Sequence, residues 1–324
     1  MKILAMGEVL WDMLPGGPRI GGAPLNFACH AALLGADVSL LSAVGDDKRG
    51  EDAIENLRRF GVDLGLLQTV PNAMTGTVGV DLCVHGHASY VIHDCASWDH
   101  IAPVPDAQLD WANTDAVYFG TLGQRSALSR EAIRDVLKAA GGARCMRVLD
   151  VNLRAPFYDA SLIRESVGMA DILKLSKEEL SEVASALGAD FRAVHKTVLQ
   201  EMLRLTGLQV IVMTCGADGA VLVTQHDVVE QPGIPTMVRD TIGAGDSFTA
   251  ALIVGLLRGD SYPEVLRQAC ATASDVCAMD GAVPPPPSTV RSVFMDGISP
   301  VSRWRNRVGQ FLSPAPSRLI DRAV

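Results

Sequence analysis

Positive charge is in deficit in this chain: 28 Lys and Arg stand against 37 Asp and Glu, a net charge of −9 with a pI near 5.2. A nucleic-acid binder would show a basic stripe, and this balance argues against one. Long apolar runs are missing as well. A membrane helix needs about 18 consecutive apolar residues, and the longest pieces here are like AALIVGLL at 250–257. Glu8 ends the apolar part of the opening MKILAMGE too early for a secretory signal. The seven cysteines are odd in number and form no C-x-x-C pair, so neither a disulfide framework nor a zinc site is expected. Small buried thiols in a reducing, cytoplasmic setting are expected instead. The 30 Gly and 17 Pro carry no collagen period. A G-x-x-x-x-G-K-S/T loop occurs nowhere, and the third glycine position after Gly243 and Gly245 holds Phe248, which argues against a dinucleotide fingerprint.

What is present is core. Hydrophobic residues make up 48% of 324 residues, which excludes a disordered chain. Strand-like and helix-like periods alternate. Strands are expected at 2–10, 38–44, 116–119, 147–151, 172–175 and 210–214. Helices are expected at 24–34, closed by Gly35, at 48–60, closed by Gly61, and at 129–139. This pattern favours a mainly parallel sheet covered on both faces. Two stretches break the rhythm: 10–20, and 75–93, which alternates like a hairpin turning near His85 and His87. Strands without intervening helices suggest a small accessory sheet over a site. Another hairpin is expected over 221–224 and 228–230. After VPPPPS at 283–288 periodicity fades, and the tail carries Arg303, Arg305, Arg307, Arg318 and Arg322.

Chemistry concentrates in RDTIGAGDSFTAALIVGLL at 239–257, a Gly-rich turn entering an apolar helix. Gly243 and Gly245 permit tight backbone geometry. The amides of Gly243, Ala244, Gly245 and Asp246 would point out of the helix start, where anions bind. Asp246 beside them is either a general base or a helix cap. A second stretch, IGGAPLNFA at 20–28, brings Asn26 to a helix start next to Gly21 and Gly22. Glu8, Leu10 and Asp12 alternate upstream as if on one strand face. A carboxylate and an amide near bare backbone suit sugar hydroxyls, although a plain turn and cap fits as well. His85 and His87 are read as exposed turn residues, Asp46 and Asp47 as a helix N-cap, and Trp98 with Asp99 as either a closing element or a hinge or packing element.

GGAPLNFA and DTIGAGDSF, about 220 residues apart, resemble the two signature regions of the PfkB, or ribokinase-like, carbohydrate kinases. The resemblance spans 1 to about 285. GEVLWDMLP, SWDHI, FGTLGQRS, DVNLRAPFY and LKLSKEEL are most similar to fructokinases. It implies an α/β, ribokinase-like fold: a mainly parallel central sheet flanked by helices, with a small β lid. The kinase domain would span 1–300, with lid strands from about 10–20 and 74–98, and 301–324 would form a C-terminal tail. The reaction implied is phosphorylation of fructose by ATP, with Asp246 as catalytic base and Gly243, Ala244 and Gly245 as anion hole. Asp12, Gly22 and Asn26 would hold the sugar, and Arg154 would contact substrate or phosphate. Thr214, Gly216 and Glu179 would bind nucleotide with Mg²⁺. Asp240, Ile242 and Gly281 would form a K⁺ site. The lid would also pair two chains as a homodimer, with no nucleic-acid or membrane partner.

Two departures stand out. Ser176 replaces the amide of the family's N-x-x-E motif, and Pro285 falls near a position that is often serine in ribokinases. The alternatives are another acceptor (ribose, 2-keto-3-deoxygluconate or a nucleoside), a sugar-binding sensor without catalysis and, more remotely, a dehydrogenase.

Overall fold

Short apolar strands linked by helices bury their faces by stacking in parallel, and the computed structural model of this chain does so. It describes residues 1–14, 16–82 and 88–285. Cys83, the turn at His85 and His87, and the basic tail lie outside the described residues.

The order is β1 (Lys2–Met6), β2 (Leu10–Leu14), β3 (Gly17–Gly21), α1 (Ala23–Leu33), β4 (Asp37–Gly45), α2 (Lys48–Arg59), β5 (Leu67–Val70), β6 (Gly76–Leu82) and β7 (Ala88–Ile92). Then follow β8 (Thr114–Phe119), α3 (Ala127–Ala143), β9 (Met146–Asp150), α4 (Ala160–Gly168), β10 (Ile172–Ser176), α5 (Leu180–Leu187), α6 (His195–Leu205) and β11 (Val210–Thr214). The described chain closes with β12 (Ala220–Thr224), β13 (Val228–Gln231), α7 (Ala244–Arg258) and α8 (Tyr262–Cys277).

The main sheet has nine strands in the order β13-β12-β11-β10-β9-β8-β1-β4-β5. From β11 to β5 every pairing is parallel; only the pairings of β12, with β11 and with β13, are antiparallel. The chain leaves β1 for β4 on one side and later resumes at β8 on the other. Strand order therefore reverses between β1 and β8, the place where open α/β sheets form a crevice at their carboxyl ends. Alternation along the strands sorts the core. Ile3, Ala5, Tyr118, Met146, Val148, Ile172 and Val212 face the layer holding α1, α7 and α8. Leu4, Met6, Val117, Phe119, Leu149, Leu173 and Leu175 face the opposite layer, with α3, α5 and α6.

The segment expected as one strand over 2–10 is instead two, in different sheets. Gly7 adopts φ 138, and its amide donates to Leu41 O, so the chain turns there. Glu8 consequently leaves the strand face it was expected to share with Leu10 and Asp12. The two stretches without helices form a separate four-stranded sheet, β3-β2-β6-β7. Its two hairpins join through parallel pairing of β2 with β6. Asp47 caps α2 by accepting from Gly50 N and also accepts the amide and hydroxyl of Thr75, which fastens α2 to the root of β6. Burial opposes the charge on Asp47, but these hydrogen bonds outweigh it and hold the carboxyl below its usual value. No helix among the described residues is long and apolar enough to cross a membrane.

Candidate active site

The apolar helix α7 packs along α1 over the sheet, with its first turn above the ends of β9 and β10, where Thr249 reaches Asp150 and Gly245 lies against Lys174. Gly243 precedes it at φ 79, a left-handed conformation, and a Cβ there would collide with the backbone of Ala282. Asp240 ties the two loops at this point together. Its Oδ1 accepts from Ile242 N at 3.0 Å and its Oδ2 from Gly281 N at 3.0 Å. His30 of α1 contacts Ala282 O at 2.8 Å, fixing the same loop from below. The four amides expected to be free are not all so. Ala244 N donates to Thr241 O at 3.3 Å, because the turn closes on itself before the helix begins. The amides of Gly245 and Asp246 have no acceptor among the described residues. An anion at this helix start would find both the donors and the positive end of the helix dipole.

Asp246 is half-buried, and its Oδ2 accepts from Asn26 Nδ2 at 2.8 Å across 220 residues of sequence. Burial raises the Asp246 carboxyl above its ordinary value, opposed by Asn26, Lys174 and Arg154. Asn26 is 4% exposed, and its Oδ1 is buried without a partner. A buried acceptor left open costs about 1–3 kcal/mol, and a ligand hydroxyl donating to it would recover that. The sequence signatures meet here: one supplies the carboxylate, the other the amide that aims it.

Asp12 on β2 lies against Gly21, with burial raising its carboxyl and Arg154 pulling it down. Gly22 begins α1 at φ 107, and a Cβ there would fall 2.5 Å from Glu8 O. Arg154 is exposed, donates to Leu153 O, and acts electrostatically on Glu8, Asp12 and Asp246 together. Its guanidinium thus joins Lys174 in offsetting the negative charge of this cleft. Trp98 is fully buried beneath the Arg125 guanidinium, which stands 3.9 Å from its ring centroid. Arg125 also grips Asp99 through two hydrogen bonds of 2.7 Å. Between closure over a ligand and a hinge or packing role, these contacts match packing: Trp98 is buried and Asp99 is paired with Arg125.

Several polar groups were misplaced or given no role. Glu8 is 3% exposed and accepts from Ala23 N at the start of α1; burial raises its carboxyl to about 7. Tyr118 stacks on Phe27 with centroids 4.0 Å apart, and its buried hydroxyl has no partner. Asp150 and Lys174 pair beneath α7, with Lys174 Nζ 3.1 Å from both carboxylate oxygens. The signal was available: a charge inside the apolar strand ILKLS is rare unless paired.

Toward β10 and β11, Thr214 and Gly216 lie at the carboxyl end of the sheet, next to Ser176 by strand pairing. Glu179 accepts from Leu153 N at 2.6 Å and Ser176 N at 2.7 Å. Each of its oxygens keeps a further lone pair. Among the described residues no group of three or more His, Cys, Asp or Glu could hold a metal. Magnesium commonly binds through one or two carboxylates plus substrate phosphates, and Glu179 fits that pattern. The Asp240 loop offers one carboxylate, already 3.8 Å from Arg19 Nη1.

Comparison with known proteins identifies the family. The chain is 27% identical over 297 residues to the aminoimidazole riboside kinase of Salmonella typhimurium, covering 85% of this chain and 87% of that one. It is 30% identical over 269 residues to a fructokinase of Klebsiella pneumoniae, covering 79% and 84%. An uncharacterized sugar kinase of Pyrococcus horikoshii, solved in complex with ATP, superposes with a TM-score of 0.72 at 28% identity, covering 86% of this chain and 93% of that one. Residues 17–289 match the pfkB family carbohydrate kinases. With both signature regions converging at the head of α7 in a ribokinase-like fold, the chain belongs to the pfkB family of carbohydrate kinases.

Proposed function

We propose that this sugar kinase uses ATP and that its preferred acceptor is the C6 primary alcohol of fructose, giving fructose 6-phosphate. The observation that carries the reading is the Asp246 carboxylate, aimed by Asn26, beside the open amides of Gly245 and Asp246. Asp246 takes the proton from the sugar hydroxyl as its oxygen bonds to the γ-phosphorus. The bond from that phosphorus to the β,γ-bridging oxygen breaks, and ADP leaves with the electron pair. The Gly245 and Asp246 amides, held by Gly243 at the helix start, receive the charge on the moving phosphoryl group.

Asp12, Gly22 and Asn26 hold the sugar. Arg154 neutralises charge from the side. Thr214, Gly216 and Glu179 face the nucleotide. Magnesium carried on the nucleotide would reduce charge repulsion among the phosphates. Potassium beside Asp240, Ile242 and Gly281 would stiffen the two loops that Asp240 already joins. The four-stranded sheet acts as a lid that excludes water and limits wasteful ATP hydrolysis. A riboside acceptor is the second reading, favoured by the 27% identity to the Salmonella enzyme.

A panel of fructose, ribose, 2-keto-3-deoxygluconate and nucleosides in a coupled ADP-release assay tests this. Fructose is expected to give the highest kcat/KM. A riboside outpacing fructose would move the acceptor assignment, and no acceptor-dependent ADP release would contradict the kinase reading. Exchange of sodium for potassium up to about 100 mM is expected to raise the rate by site saturation; a flat response removes potassium from the account.

A further inference from the structure

Beneath the first turn of α7 is a buried polar group that neither acid–base chemistry nor sugar binding uses. Asp150, at the end of β9, is 1% exposed. Lys174, on the neighbouring strand β10, has a side chain 8% exposed. Both lie on the sheet face that α7 covers, at the top of apolar rows ending in Val148 and Ile172. Lys174 Nζ donates to both oxygens of Asp150 at 3.1 Å. Thr249, one turn into α7, places its hydroxyl 2.8 Å from Asp150 Oδ2 and 2.9 Å from Gly245 O, so that its single proton is shared between the two acceptors. A Cβ on Gly245 would lie 3.1 Å from Lys174 Nζ, so the ammonium is directly against the peptide whose amide faces the crevice.

A buried ion pair is a poor device for stability alone, because desolvating two charges offsets most of their attraction. An apolar pair of like volume would serve the core as well. Burial pushes the Asp150 carboxyl up to about 6 against the pull of Lys174. Burial also disfavours the Lys174 ammonium, but Asp150, Glu179 and Asp246 together outweigh it and keep it charged. What the pair does provide is an ammonium set against Gly245 at the first turn of α7 and held there by a buried carboxylate.

We propose that Asp150 is a positioning residue for phosphoryl transfer: it holds the Lys174 ammonium behind Gly245 and, through Thr249, fixes the Gly245 peptide of the anion hole. This rests on the reading of α7's first turn as the anion hole.

The test compares Asp150→Asn, Lys174→Met and the double variant, each with Tm, kcat, sugar KM and affinity for a non-hydrolysable ATP analogue and for ADP, both with magnesium. Asp150→Asn strands a buried ammonium and is expected to lower both Tm and kcat. The double variant removes both charges and is expected to regain the parent's Tm. Its kcat should stay at least tenfold down with sugar KM within threefold, and its preference for the ATP analogue over ADP should shrink at least fivefold. A purely structural pair would restore kcat along with Tm. Thr249→Val, which keeps both charges and nearly the same volume, is expected to lower kcat about threefold or more. A double variant with kcat within threefold of the parent, or Thr249→Val with unchanged kcat, overturns the proposal. The nucleotide-affinity comparison needs no sugar, so it remains decisive if the acceptor is misassigned, whereas a parent chain that releases no ADP with any sugar contradicts the kinase reading instead.

Discussion

Asp246→Asn lowers kcat by at least about 10²-fold, the contribution expected of a positioned general base, while Tm and ATP affinity stay near those of the parent. The amide matches the carboxylate in shape but cannot take a proton. Asn26, whose Nδ2 now donates to Asp246, can turn its own amide to keep a hydrogen bond with the new side chain. The helix start is therefore left intact. The same carboxylate sets the acid side of the pH profile. Burial raises its pKa, and only the ionised form accepts a proton. The parent's rate should accordingly fall as pH drops through that raised value, a limb above the usual aspartate range. Turnover of Asp246→Asn within tenfold of the parent would contradict the assigned role.

Gly243→Ala is expected to be the most damaging change outside the carboxylate itself. Its φ of 79 lies in the left-handed region, where an L side chain costs roughly 1–2 kcal/mol. The new Cβ would also run into Ala282, whose backbone cannot swing away because His30 contacts its carbonyl and Asp240 holds Gly281 beside it. The strain must therefore be relieved by moving the first turn of α7, which carries both the anion hole and Asp246. Loss of one such donor costs about 10²–10³-fold in kcat, and a fall of about 10²-fold is expected here together with a lower Tm. Gly245→Ala provides the contrast. Its Cβ meets only the tip of Lys174 at 3.1 Å, at a position without positive φ, so a smaller loss is expected. Steady-state kinetics and thermal melts on the two variants check the ranking; equal losses would remove the argument from backbone strain.

The sequence made the layering legible because buried parallel strands leave a strong mark. The apolar runs at 38–44, 172–175 and 210–214 became β4, β10 and β11 with only small extensions. The two stretches without helices became one separate sheet, as their alternation suggested. What the pattern hid was the break at Gly7: a hydrophobic run shows burial, but not that the chain turns into another sheet. Glu8 was misplaced for that reason. The meeting of Asn26 with Asp246 has no local signature at all, since it depends on α1 and α7 packing side by side. It was legible only through the family resemblance. Lys174 is the opposite case. Its local signal was plain, a charge in an apolar strand, but its meaning appears only once Asp150 and Thr249 close around it.

The most direct test of the central claim is a crystal structure of the chain with fructose and a non-hydrolysable ATP analogue bound together. The account expects an Asp246 carboxylate oxygen within about 3 Å of the sugar's C6 hydroxyl, the reach of a general base. It also expects the terminal phosphate to rest on the amides of Gly245 and Asp246. A sugar bound with no hydroxyl near Asp246, or a terminal phosphate placed away from the head of α7, would contradict it.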